Sequence, residues 1–63
     1  MTPPRIAEAF VSLTCMFEDM HAIVVEGQRV DLSPDMARAL AAHVTAGLSS
    51  AKQMIDTIEG ALP

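Results

Sequence analysis

Residues 27–36 read GQRVDLSPDM and separate two long stretches with helical periodicity. Ser33 can cap the free N–H groups of a following helix, Pro34 suits the first helical position, and Asp35 complements the positive end of the helix dipole. Gly27 suits the end of the preceding helix, because glycine adopts the left-handed conformation without steric cost. A connection this short predicts that the two helices fold back antiparallel.

The first helix is predicted over about residues 4–26. Its apolar residues recur at alternating spacings of four and three, which keeps one side of a helix facing a partner. Pro3 and Pro4 fit the first turn, and Thr2 is a candidate cap. The stripe comprises Ile6, Phe10, Leu13, Phe17, Met20 and Val24, and it is widened by Ala9, Met16 and Ile23.

The second helix is predicted over about residues 34–59, with Gly60 marking its end. Small residues recur along it, and they allow close approach of a neighbouring backbone. Gly47 in the helix interior costs about 1 kcal/mol relative to alanine. We expect close packing against Phe10 or Phe17 to offset that cost.

Residues 23–31 also permit a β-hairpin. Ile23, Val24 and Val25 are β-branched residues of the kind that favours strands, and Gly27 could lie in the turn. The same residues continue the helical stripe in phase, so the helix is the preferred prediction.

Composition limits the possible classes of function. The 63 residues include eight carboxylates and four cationic side chains, for a net charge of −4, which argues against nucleic acid and anionic membranes as partners. One cysteine excludes an internal disulfide, and no apolar run approaches the roughly 20 residues of a membrane span. With no signal peptide visible, a cytoplasmic location and a single domain over residues 1–63 are expected.

A solitary helical hairpin would leave much of these wide stripes in water, and such apolar patches are typical of protein contacts. The sequence therefore predicts an all-α fold, an antiparallel two-helix hairpin that pairs into a homodimeric four-helix bundle. The predicted dimer interface comprises Phe10, Leu13, Met16, Phe17, Met20, Ile23, Leu40, Val44, Leu48, Ala51 and Ile55.

Chemistry-bearing residues are few. Glu18 and His21 have the Glu-x-x-His spacing of di-iron bundles, and His43 is the one further candidate metal ligand near them. The ordinary interpretation, polar residues at the edge of the stripe, is preferred. Cys15 has no histidine within reach along its helix to act as a base. We therefore predict neither a cofactor nor catalysis.

The expected function is that of a small non-enzymatic regulator or adaptor, such as an antiactivator, inhibitor or co-chaperone, which covers the surface of another protein. The alternatives are a metal-binding or redox bundle and a structural assembly subunit. Residues predicted to contact the partner protein are Glu18, Asp19, Arg29, Asp31 and Arg38.

Overall fold

Two antiparallel helices make up the fold in the computed structural model, which describes residues 4–62: α1 over Pro4–Glu26 and α2 over Pro34–Ala61. Their packing forms a rod of 49 × 15 × 10 Å. The predicted all-α helical hairpin is confirmed. The proposed roles of Thr2 and Pro3 lie outside the described residues.

The start of α2 follows the local signals in the sequence. The Ser33 side chain accepts a hydrogen bond of 3.2 Å from the backbone N–H of Met36, and Pro34 occupies the first turn. The other end of α2 differs from the prediction, because the helix continues through Gly60 to Ala61. The backbone N–H of Leu62 then donates to the carbonyl of Glu59 over 3.3 Å.

Helix α1 ends in a tightened turn. The backbone N–H of Gln28 donates to the carbonyl of Val25 over 3.0 Å, and that of Arg29 donates to Glu26 over 3.3 Å. The expected left-handed conformation of Gly27 is wrong, because no glycine within residues 4–62 has a positive φ. The alternative β-hairpin is also wrong, because α1 is helical through Glu26 and no strand occurs within residues 4–62.

A seam of residues spaced alternately by three and four joins the helices. Its deepest members are few: Ile6, Leu13, Met20, Ala51 and Ile58 are buried. The remaining seam positions are half-buried because each side chain meets only one neighbouring helix. They are Ala9, Met16 and Ile23 on α1, and Leu40, Val44, Gly47, Met54 and Ala61 on α2.

The axial register of the seam is defined by Gly47. A Cβ added to this glycine would stand 2.8 Å from both Cγ and Sδ of Met20. The expectation that a phenylalanine packs here is therefore wrong, since the neighbour is a methionine. Because the helices are antiparallel, counting the same number of residues backward along α1 from Met20 and forward along α2 from Gly47 gives positions at the same level, which we call antiparallel stepping. Antiparallel stepping places Met16 level with Ala51, a large residue facing a small one.

The predicted stripe of α1 is correct in one row and wrong in another. Ile6, Leu13 and Met20 are buried, but Phe10 and Phe17 are 56% and 51% exposed. The row that completes the seam begins instead at Ala9, one residue earlier along the chain. Antiparallel stepping places Ala9 level with Ile58, so a small residue faces a large one and the helix axes can lie close.

Candidate interaction surface

Large apolar side chains form one exposed side of the rod, which we call the apolar face. On each helix, every one of these residues comes one position after a half-buried seam residue, and they recur every seven residues. They therefore form a row along the edge of the seam. All six are more than a third exposed. The apolar face comprises Phe10, Phe17 and Val24 of α1 and Leu48, Ile55 and Leu62 of α2.

The two rows lie on the same side of the hairpin. A groove of about 250 Å³ near the turn is lined by Val24, which belongs to the α1 row, and by Ala41, which begins the α2 row. At the end of the rod away from the turn, a second groove is lined by Arg5 and Thr57, which flank the other side of the seam. Each side of the seam is therefore bordered by one row from α1 and by the corresponding row from α2.

Along the rod the two rows alternate in level. Because Met20 lies opposite Gly47, antiparallel stepping places Phe17 at a level between Leu48 and Ile55. The same stepping places Phe10 between Ile55 and Leu62. The backbone of each phenylalanine thus lies about two residues, or about 3 Å, past one member of the α2 row and about five residues before the next.

Charge is distributed unevenly around the rod. On α1 the flank beside the apolar face carries Ala7, Thr14 and His21, which include no carboxylate. The acidic residues of α1 occupy its remaining faces, and Glu18 and Asp19 are among them. The part of α1 that borders the apolar face is therefore free of negative charge.

The turn holds an ion cluster centred on Arg29. Its guanidinium donates to both carboxylate oxygens of Asp31 over 3.1 and 3.0 Å and to Glu26 over 2.6 Å. These hydrogen bonds, first that to Asp31 and then that to Glu26, raise the pKa of Arg29 above its ordinary value. The bonds from Arg29, followed by one from the backbone, hold the pKa of Asp31 below its ordinary value of 3.8.

The residues predicted to contact a partner protein are not brought to one place. Arg29 and Asp31 pair with each other at the turn, whereas Arg38 pairs with Asp35 over 2.6 Å at the start of α2. Glu18 and Asp19 are exposed near the middle of α1. Their role in partner binding stays a prediction.

The predicted dimer-interface residues fall into two groups, and their role stays a prediction. One group lies in the seam within a single chain: Leu13, Met20 and Ala51 are buried there, and Met16, Ile23, Leu40 and Val44 are half-buried there. The other group lies exposed on the apolar face: Phe10, Phe17, Leu48 and Ile55.

Two further members of the apolar face, Val24 and Leu62, are absent from the predicted dimer interface. Each continues the row of its helix at the same seven-residue interval, and this spacing is the signal that could have found them.

The candidate metal ligands are also spread around the rod. Glu18, His21 and His43 are exposed, and within residues 4–62 no three His, Cys, Asp or Glu side chains are grouped to hold a metal ion. Cys15 is exposed on the side of α1 away from the apolar face. His43 is level with Val24, nine residues or about 13 Å along the axis from Cys15.

Comparison of the chain with protein-family models, with curated proteins and with solved structures gives no match in any of the three. In the described part of the chain, neither helix has the combination of length and apolar character needed to cross a membrane.

Proposed function

We propose that this chain is a non-enzymatic protein-binding module of the regulator or adaptor type, which acts by laying its apolar face against protein. The observation that carries the proposal is the apolar face itself, with Phe17 and Leu48 at its centre. Contiguous exposed apolar surface of this kind is typical of protein contacts. Full burial of such a side chain contributes about 1.5–3 kcal/mol, so covering the exposed part of all six favours association.

The distribution of reactive groups supports a binding role over a catalytic one. A nucleophile needs a base within hydrogen-bond reach, and Cys15 lies at a different level of the rod from His43. The groove near the turn is lined almost entirely by apolar residues, and among the described residues the groove at the other end of the rod has only Arg5 and Thr57 as polar lining side chains. Antiactivators, inhibitors and co-chaperones act without chemistry of their own, by covering a surface of a partner.

The experiment that tests this function is co-purification of the affinity-tagged chain from its source cells, with quantified stoichiometry. The face variant is Phe17→Gln, and the control is Val11→Gln, which removes an apolar side chain from the outer side of α1 that is 63% exposed, against 51% for Phe17. Glutamine is a good helix former, so both variants should keep the helix.

We expect wild type and Val11→Gln to retain a stoichiometric protein, whether an untagged copy of the chain or a different protein. Phe17→Gln should retain at least tenfold less of it. Absence of any stoichiometric protein with the wild-type chain, or equal retention by the face variant, would remove the proposed function.

A further inference from the structure

We infer that the occupant of the apolar face is a second copy of this chain, so that two hairpins stack face to face as a two-fold symmetric four-helix bundle. This inference rests on the proposed function and names the partner of the same face. Three observations on the hairpin support it: its excess exposed surface, the alternation of its two apolar rows, and the placement of its charges.

The exposed area is the first observation. Folded monomers of this mass expose about 3,900 Å² on the usual scaling of surface with mass. The hairpin exposes 4802 Å², an excess of about 900 Å². Specific protein interfaces bury about 800 Å² on each partner. The surplus on one hairpin is therefore similar to what each copy contributes to a standard dimer interface.

The alternating rows make the face complementary to itself. When the two-fold axis runs parallel to the helices, α1 of one copy lies over α2 of the other. Phe17 then stands over the gap between Leu48 and Ile55 of the second copy, and Phe10 stands over the gap between Ile55 and Leu62. Large knobs on one helix thus meet gaps on the other, in the manner of knobs-into-holes packing.

Charge placement permits the same arrangement. Two copies with a net charge of −4 each would repel one another if their carboxylates met. On α1, Glu18 and Asp19 lie away from the apolar face. On α2 the flank of the face carries Arg38 and Lys52, each paired with an aspartate of the same helix, together with the carboxylate of Glu59. Face-to-face stacking therefore keeps most of the negative charge of α1 on the outside of the bundle.

Absolute mass by light scattering, measured across a hundredfold range of concentration up to about 100 μM, tests the inference. We expect the wild type and Val11→Gln to have the mass of two chains. Phe17→Gln should raise the dimer dissociation constant at least about a hundredfold, because each dimer loses two buried rings. Leu48→Gln is a second face variant on α2, and circular dichroism checks that each variant stays helical.

A spin label on the single cysteine shows which face of the hairpin forms the contact between the two copies. Cys15 is exposed on the side opposite the apolar face, so a nitroxide label there leaves the face intact. Helices are about 10–12 Å across, so labels on the outer sides of two stacked layers should lie more than about 25 Å apart by electron spin resonance. A label distance below about 20 Å would mean pairing through the opposite face and would overturn the inference.

A monomeric wild type at every concentration would also overturn the inference, as would face variants that keep the mass of two chains. The proposed function is judged by a separate measurement, the co-purification. If the wild type is monomeric yet retains a different protein in a manner that depends on Phe17, the protein-binding function stands and only its partner changes. If both measurements are negative, both proposals fall.

Discussion

Met20 packs directly over Gly47, with its Cγ and Sδ both 2.8 Å from the position that a Cβ on the glycine would occupy. Because Met20 is buried, its side chain fills the space that a larger residue on α2 would need. This pair therefore holds the two helix axes close near the middle of the rod.

Substitution of Gly47 by alanine should destabilise the hairpin in spite of alanine's better helix propensity. The propensity gain is about 1 kcal/mol, whereas overpacking in a core costs about 1–3 kcal/mol. We expect a net loss of about 1 kcal/mol in the free energy of unfolding, measured in urea at fixed protein concentration. Gly60→Ala is the control, since nothing lies within 4 Å of its added Cβ, and it should leave stability equal or higher.

Removal of the methionine should reverse the sign of the Gly47 effect. In a Met20→Ala background the added Cβ meets no side chain, so Gly47→Ala should stabilise by up to about 1 kcal/mol. Both variants can be compared in sulfate, which strengthens apolar burial and keeps the destabilised background folded. A Gly47→Ala effect of the same sign and size in both backgrounds would contradict the packing of this pair.

The cap at the start of α2 should contribute measurably to stability. Ser33→Ala removes the acceptor for the Met36 backbone N–H, and loss of such a cap costs about 1 kcal/mol. Ser49→Ala is the control at an exposed position inside the same helix, where alanine should be neutral or slightly stabilising. Urea denaturation checks both, and equal effects of the two substitutions would show that Ser33 does not cap.

The ion cluster at the turn should be visible in a carboxyl titration. Because Arg29 holds the pKa of Asp31 below 3.8, the stabilisation that Asp31 provides is present above that value and disappears as the pH falls through its lower folded-state pKa. NMR titration should show that Arg29→Gln moves the Asp31 pKa upward. Arg38→Gln should leave the Asp31 pKa in place, since Arg38 pairs with Asp35. An Asp31 pKa unaffected by Arg29→Gln would exclude the cluster.

Two isoleucines on α2 should respond differently to truncation. Ile58 is buried in the seam, so Ile58→Ala should cost about 2–5 kcal/mol and lower helicity at every concentration. Ile55 is 39% exposed on the apolar face, so Ile55→Ala should mainly weaken association. Circular dichroism across a range of concentrations separates the two effects. Equal, concentration-independent losses would contradict their assignment to different surfaces.

Local signals in the sequence were sufficient for the hairpin but insufficient for its packing. Ser33 and Pro34 act through neighbouring backbone groups, so the start of α2 could be predicted from residues close in the chain. The rows that begin at Ala9 and Phe10 both continue the period of 3.5 from Ile6, and they differ by one residue, or about 100° around the helix. Which row faces α2 depends on residues far along the chain.

The candidate interaction surface, like the packing of the hairpin, could be predicted only in part. The sequence shows apolar stripes that are wider than the seam between two helices can cover. This width predicted that the chain associates. The assignment of Phe17 and Leu48 to a single face required knowledge of which rows form the seam, because each residue directly follows a seam row of its helix. Leu13, Met20 and Ala51 were placed in the predicted interface because the sequence pattern does not separate a seam within one chain from a contact between chains.

The uninterrupted three-and-four spacing of the seam has a consequence for insertions and deletions. One residue added inside α1 would rotate everything beyond it by about 100°, carrying one end of the helix out of the seam and breaking the apolar face in two. One residue added within 28–32 leaves the phase of each helix unchanged. Length variation among descendants of this chain should therefore collect in the turn, and both helices should change by substitution alone.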